Sequence, residues 1–305
     1  MFANGMKVAG AFAAVAATVG LTTATTAEAQ LSGSIAIDGS STVFPISEAM
    51  AEDFMGANPG VSVTVGVSGT GGGFRKFCAG ETDISNASRP IKDSEVEACA
   101  AAGIEFIEVL VGTDALTVVV SNTNAFLSDI STEELSAIWA PEAEGAVTRW
   151  NQVNASWPNA PIRLFGPGTD SGTFDFFTEE INGEGGASRA DYTASEDDNI
   201  LVLGVSRDPN ALGYFGLSYY LENADTLQAL SIGGVEPTPD NAKSGDYPLA
   251  RPLYIYVSTA ALDKPEVDAF IEYYLTTARD SDIVTEVGYV PLTTEEYDAS
   301  LALVE

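Results

Sequence analysis

An α/β fold built from two interleaved domains is what this sequence predicts, and three observations carry the expectation. Short β-like runs alternate with helix-like stretches along most of the chain. Turns rich in Gly, Ser and Thr recur between a strand and the helix after it. No tandem repeat or long linker is visible, so the 305 residues fit two domains joined by crossing strands better than two separate beads.

The elements follow in order. Residues 34–38 are a strand candidate, and residues 46–55 a helix stopped by the turn at 56–60. Residues 61–67 alternate apolar and polar with period two, as a half-buried strand does. A helix around 74–79, a strand near 83–84 and a helix over 94–102 ending at Gly103 come next. Residues 104–109 and 115–120 read as two strands, the second apolar enough to be buried on both faces. Ser131-Thr-Glu-Glu134 is a capping box that opens a helix, and Pro141 ends it. Residues 162–165 are a strand and 174–181 a helix; a polar passage reaches Asp198, and a helix begins over 199–204. A strand at 214–217, a Pro/Gly/Asn-rich passage at 233–247, a strand at 253–257 and a helix over 265–277 complete the order. Trp139, Trp150 and Trp157 are expected to pack apolar interiors or surfaces.

Charge removes whole classes of function. The chain has 13 Lys+Arg against 44 Asp+Glu, a net charge of −31, which opposes the counterion displacement that nucleic-acid binding requires. Histidine is absent, which excludes Ser-His-Asp and Cys-His nucleophiles and HExxH zinc chemistry. The acidity reads as a solvated surface suited to salt, since no DxDxDG cation loop is present and neither a metal nor a cofactor is expected.

At the N-terminus Lys7 precedes an apolar stretch, residues 8–21, and a small-residue segment ending Ala27-Glu28-Ala29. This order predicts a signal peptide over residues 1–29, cleaved after Ala29, and an exported mature chain from Gln30. Two cysteines remain, Cys78 and Cys99. An even count in an exported protein favours one disulfide, with two buried thiols as the alternative; a loop of about 20 residues would contribute about 3 kcal/mol.

One local pattern occurs three times: a strand, a turn carrying hydroxyls and glycines, then a helix. The turns are Asp38-Gly-Ser-Ser-Thr-Val-Phe-Pro45, Val67-Ser-Gly-Thr-Gly-Gly-Gly73 and Gly166-Pro-Gly-Thr-Asp-Ser-Gly-Thr173. Each sets hydroxyls and free N–H groups at a helix N-terminus, where an anion is favoured. A single such turn is adequately explained by capping. Three that converge on one crevice would grip a small desolvated oxyanion. The second turn lacks the Gly-Lys-Ser/Thr of a nucleotide loop, and Asp170-Ser-Gly-Thr173 lacks the second copy that an aspartic-protease dyad needs.

GSSTVFPI (residues 39–46), SGTGGGFRKFCAGETDISNASRPI (68–91), GTDSGTF (168–174) and YPLARPLYIYV (247–257) together resemble the periplasmic phosphate-binding proteins that feed ABC-type phosphate importers, in the branch with Ser-Arg-Pro after the second turn. The likeness spans essentially the whole mature chain. It implies a two-lobed type II periplasmic solute-binding fold with two crossover strands, at about 116–121 and 250–256. Residues 30–117 and 251–305 would form one lobe and 118–250 the other. Phosphate would be held by Ser41, Thr42 and Val43 of the first turn, by Thr70 with Ser68 and Gly71 of the second, and by Ser171, Gly172 and Thr173 of the third.

Two positions depart from the family pattern. An Asp after Ala-Ser is replaced by Arg89, and an Arg four residues before Ser-Gly-Thr is replaced by Pro167. The exchange assigns the guanidinium grip to Arg89. It also displaces the carboxylate that would accept a phosphate proton and repel sulfate, for which Asp170 is the first candidate and Asp114 the second. The resemblance implies a periplasmic, monomeric, non-enzymatic receptor that carries inorganic phosphate to the membrane subunits of an ABC importer, with no nucleic-acid partner. Receptors for phosphite, arsenate, sulfate or molybdate, or an exported hydrolase using Asp170, are the alternatives.

Overall fold

The computed structural model describes residues 1, 31–169, 171–195 and 197–304, and Leu31–Glu305 is one compact unit. The signal-peptide reading falls on residues outside those described. Among the described residues, no helix is long and apolar enough to cross a membrane.

Among the described residues eleven strands are formed: β1 (Gly33–Gly39), β2 (Val61–Val67), β3 (Ile84–Ala87), β4 (Phe106–Ser121), β5 (Asp129–Ile130), β6 (Arg163–Gly166), β7 (Thr193–Ala194), β8 (Ala211–Gly216), β9 (Leu227–Ala229), β10 (Ser231–Ile232) and β11 (Ala250–Ser258). One sheet runs β2-β1-β3-β11-β4-β8-β6-β7, with β9 also on β4, while β5 and β10 pair with each other. β1 and β2 are parallel over their full length and are joined by the helix Phe44–Ala57, the connection that parallel neighbours require. β11 enters late and antiparallel between β3 and β4, which returns the end of the chain to the half of the sheet where it began.

β4 links the two halves. Residues 106–115, apart from Val111, pair with β11, and residues 116–121 pair with β8 and β9. The two strands expected at 104–109 and 115–120 are therefore one strand. The polar-looking junction stays extended because β11 pairs with it, Leu253 opposite Gly112, Pro252 opposite Thr113 and Arg251 opposite Asp114, and an irregularity at Leu253/Tyr254 absorbs the extra residue.

Separate apolar clusters form at either end of β4. Val109 and Val111 pack with Ile255, Val257, Phe54 and Phe270 at one end; Leu116, Val118 and Val120 pack with Trp139, Trp150, Phe177 and Tyr214 at the other. Val119 faces the opposite way, onto Leu201, Val205 and Phe215, so this stretch is buried on both faces. Each such large side chain contributes roughly 1.5–3 kcal/mol. Trp139 and Trp150 lie fully inside, with Trp157 packed edge-on against Trp150. Cys78 and Cys99 form the disulfide, tying the helix Thr70–Cys78 to Asp93–Ala102.

Candidate functional site

The three turns lie beside one another because their backbones touch. β1 ends at Gly39, where φ is +146° and a Cβ would stand 2.2 Å from the Asn86 carbonyl oxygen. In the first turn the Ser40 N–H donates to that carbonyl at 2.9 Å, and the Phe44 N–H donates to the Ser40 carbonyl at 3.1 Å. The second turn rests on the first: a Cβ on Gly73 would meet Gly39 Cα at 2.5 Å and the Asp38 carbonyl oxygen at 2.9 Å. The third faces the first, since a Cβ on Gly172 would lie 3.1 Å from Thr42 Oγ1. At Gly39 and Gly73 only glycine allows such approach without displacing backbone.

Two cavities adjoin these turns and share Ser41. One, about 510 Å³, is bordered by Thr42, Thr70, Ser88, Arg89 and Arg251. The other, about 430 Å³, is bordered by Asp114, Ser171, Gly172, Thr173 and Tyr289. Ser171 caps the helix Gly172–Asn182 by accepting the Thr173 N–H at 3.2 Å, which leaves its own proton free to donate. The Ser41 and Thr173 hydroxyls have no hydrogen-bond partner among the described residues.

Arg251 ties the cavities together. Its Nη2 donates to Thr42 Oγ1 at 2.8 Å and its Nε to Asp114 Oδ2 at 3.1 Å, while its guanidinium lies 3.9 Å over the Phe176 ring. Asp114 is buried, and burial raises its pKa against the opposing pull of Arg251. A fixed guanidinium flanked by three hydroxyl-bearing turns is a donor set for a tetrahedral anion.

Residues 24–278 match the PBP superfamily domain. Protein SphX of Synechococcus elongatus is 53% identical over 272 residues, covering 87% of this chain and 80% of that protein. The phosphate-binding protein PstS of Staphylococcus saprophyticus is 37% identical, covering 87% and 82%. The chain belongs to the PstS family of the PBP superfamily. A crystal structure described as a possible phosphate-binding protein from Planctomyces limnophilus superposes with a TM-score of 0.84 at 48% identity, covering 90% of this chain and 98% of that one. The PstS family consists of solute-binding proteins rather than enzymes, and the mixed α/β fold observed here matches its structures.

Within this PstS-family chain the residues singled out from sequence are placed differently. Ser41, Thr42, Thr70, Ser171, Gly172 and Thr173 border the cavities. The Val43 side chain is wholly buried in the core, so only its backbone can face a ligand. Gly71 lies close to the Arg89 guanidinium. Ser68 borders neither cavity; its hydroxyl donates to Asp38, whose other oxygen takes Lys76 Nζ at 2.5 Å. Asp170 lies outside the described residues.

Arg89 borders the larger cavity, but its guanidinium is held bidentately by Glu95 at 2.8 and 2.9 Å and also donates to the Pro90 carbonyl. The Glu95 hydrogen bond raises the Arg89 pKa. Burial pushes Glu95 up, but the Arg89 hydrogen bond and the Lys92 N–H bring it below its usual value. Arg251 was not singled out from sequence, although it lies inside the quoted motif YPLARPLYIYV. The signal available was an Arg-Pro pair at the start of the late strand, in a chain with few cations.

Proposed function

We infer that this chain is an exported receptor that captures one inorganic phosphate between the three turns and delivers it to the membrane subunits of an ABC importer. The observation that carries the reading is Arg251, a guanidinium held by Thr42 and Asp114 beside the Ser171-Gly172-Thr173 helix terminus. Ser41, Thr42, Thr70, Ser171 and Thr173 supply hydroxyls. The Val43 and Gly172 backbones supply N–H groups, and Arg251 supplies the charge that Arg89 spends on Glu95. Asp114 accepts the proton of HPO₄²⁻, which sulfate cannot offer. Residues 30–117 with 251–305, and residues 118–250, form the lobes, and closure about β4 and β11 brings both donor sets onto the anion. The receptor works as a monomer.

Calorimetric titration with phosphate, after any bound anion has been removed by unfolding, tests this directly. One anion per chain should bind, and a large excess of sulfate should not compete. Binding of sulfate, or a failure to bind phosphate after verified refolding, would overturn the reading.

A further inference from the structure

A third cavity, about 540 Å³, shares no residue with the two at the turns. Its border includes Arg149, Arg163 and Arg189, three of the 13 basic residues in a chain with 44 acidic ones. Their placement follows from strand geometry. Trp150 and the pair Ile162 and Leu164 point into the core, so alternation turns Arg149 and Arg163 outward. Arg149 is bridged antiparallel to Pro161, with the Ile162 N–H donating to the Thr148 carbonyl at 2.9 Å and the Trp150 N–H to the Ala160 carbonyl at 3.1 Å. Arg163 is therefore the diagonal neighbour of Arg149 on the same face, at a spacing of roughly 7–8 Å.

The three arginines are not equivalent. Arg189 is buried and fully used: Nε and Nη2 grip Asp191 at 2.5 and 2.9 Å, and Nη1 donates to the Ile138 and Val147 carbonyls. Asp191, the only carboxylate among the described residues that border this cavity, is occupied by that grip and by the Gly145 N–H. Arg149 and Arg163 are exposed, and neither guanidinium has a hydrogen bond or ion pair among the described residues. Two like charges side by side are unfavourable unless an anion joins them. That neither is neutralised, with carboxylates in more than threefold excess, marks the pair as available. Pro161, Phe165 and Tyr192 add an apolar wall.

We propose that Arg149 and Arg163 form a second anion site, distinct from the turns, which takes a small molecule carrying two oxyanion groups. Each guanidinium holds one group bidentately, and the apolar wall accommodates the atoms between them. A polycarboxylate and a condensed phosphate share this chemistry.

Titration with citrate and with pyrophosphate, each on wild type, on Arg149→Ala/Arg163→Ala and on Arg251→Ala, tests the site and separates the two sources. At least one of the two anions should bind wild type with a Kd below about 1 mM, weaken tenfold or more in the double variant and be unaltered in Arg251→Ala. Inorganic phosphate binding should stay within twofold in the double variant, which also shows that it is folded. If neither anion binds at millimolar concentration, or if binding is lost in Arg251→Ala but kept in the double variant, the second site does not exist.

Discussion

Arg251 and Asp114 are direct partners across the β4–β11 ladder, 137 residues apart in sequence and joined by a 3.1 Å bond from Nε to Oδ2. Nη2 is spent on Thr42, and Nη1 has no partner among the described residues. The pairing holds the guanidinium rigid while leaving donors for a ligand.

The first consequence concerns which arginine binds. Arg251→Ala should weaken phosphate binding at least about thirtyfold, since truncating a buried charge-assisted contact costs about 2–5 kcal/mol. Arg251→Lys should recover part of the loss. Arg89→Ala should cost less than fivefold, because Glu95 already takes that guanidinium. Calorimetry on the three variants decides it, and a larger loss for Arg89→Ala would restore Arg89 as the anion's partner.

Asp114→Asn should relax discrimination, narrowing the phosphate-to-sulfate affinity ratio measured by competition. It should also alter stability against pH. Burial raises the Asp114 pKa above its ordinary 3.8, so ionising this group costs more in the folded chain than in the unfolded one. The stability linked to it is present below about pH 4 and is lost as pH rises through the raised value. Relative to wild type, the Asn variant should therefore gain stability between pH 4 and pH 7, read as urea midpoints. A difference that does not vary with pH would contradict this.

Phe176 comes from the helix that starts at the third turn, yet its ring carries the Arg251 guanidinium at 3.9 Å. Phe176→Leu should weaken phosphate binding about twofold to thirtyfold, the range of a cation–π contact of about 0.5–2 kcal/mol. Phe176→Tyr should stay near wild type. Equal losses in both would point to packing alone.

Gly73→Ala would drive a methyl group into Gly39 and the Asp38 carbonyl. Overpacking of this kind costs about 1–3 kcal/mol. Thermal unfolding should fall by several degrees and phosphate affinity should drop with it, because the first and second turns shift together. An unchanged melting temperature would show that the turns are not in contact as described.

Removal of the Cys78–Cys99 bridge should cost about 3 kcal/mol through the freed loop of the unfolded chain. Cys78→Ala/Cys99→Ala should melt at least about 5 °C lower, while phosphate affinity stays within threefold because neither cysteine borders a cavity at the turns. Wild type treated with reductant should move toward the same melting temperature.

Local chemistry was legible in the residues themselves. The period-two run at 61–67 became β2 with the same bounds, Ser131 and Glu134 formed the capping box that their spacing describes, and Ser171 caps the helix of the third turn. These features depend on neighbours within a few positions, so sequence alone determined them. Elements of two or three residues, such as β5, β7 and β10, escaped because they hold no periodic signal and exist only where a partner strand is waiting. The site's charges were likewise beyond reach. Whether Arg89 or Arg251 offers its guanidinium to an anion depends on which has lost it to a carboxylate. Glu95 lies six residues from Arg89 on a helix whose orientation is set by packing, and Asp114 meets Arg251 only through the β4–β11 register. Composition and turns pointed to hydrogen bonding of an anion in a chain without histidine; long-range strand pairing decided where the Arg251 guanidinium stands and which carboxylate holds it.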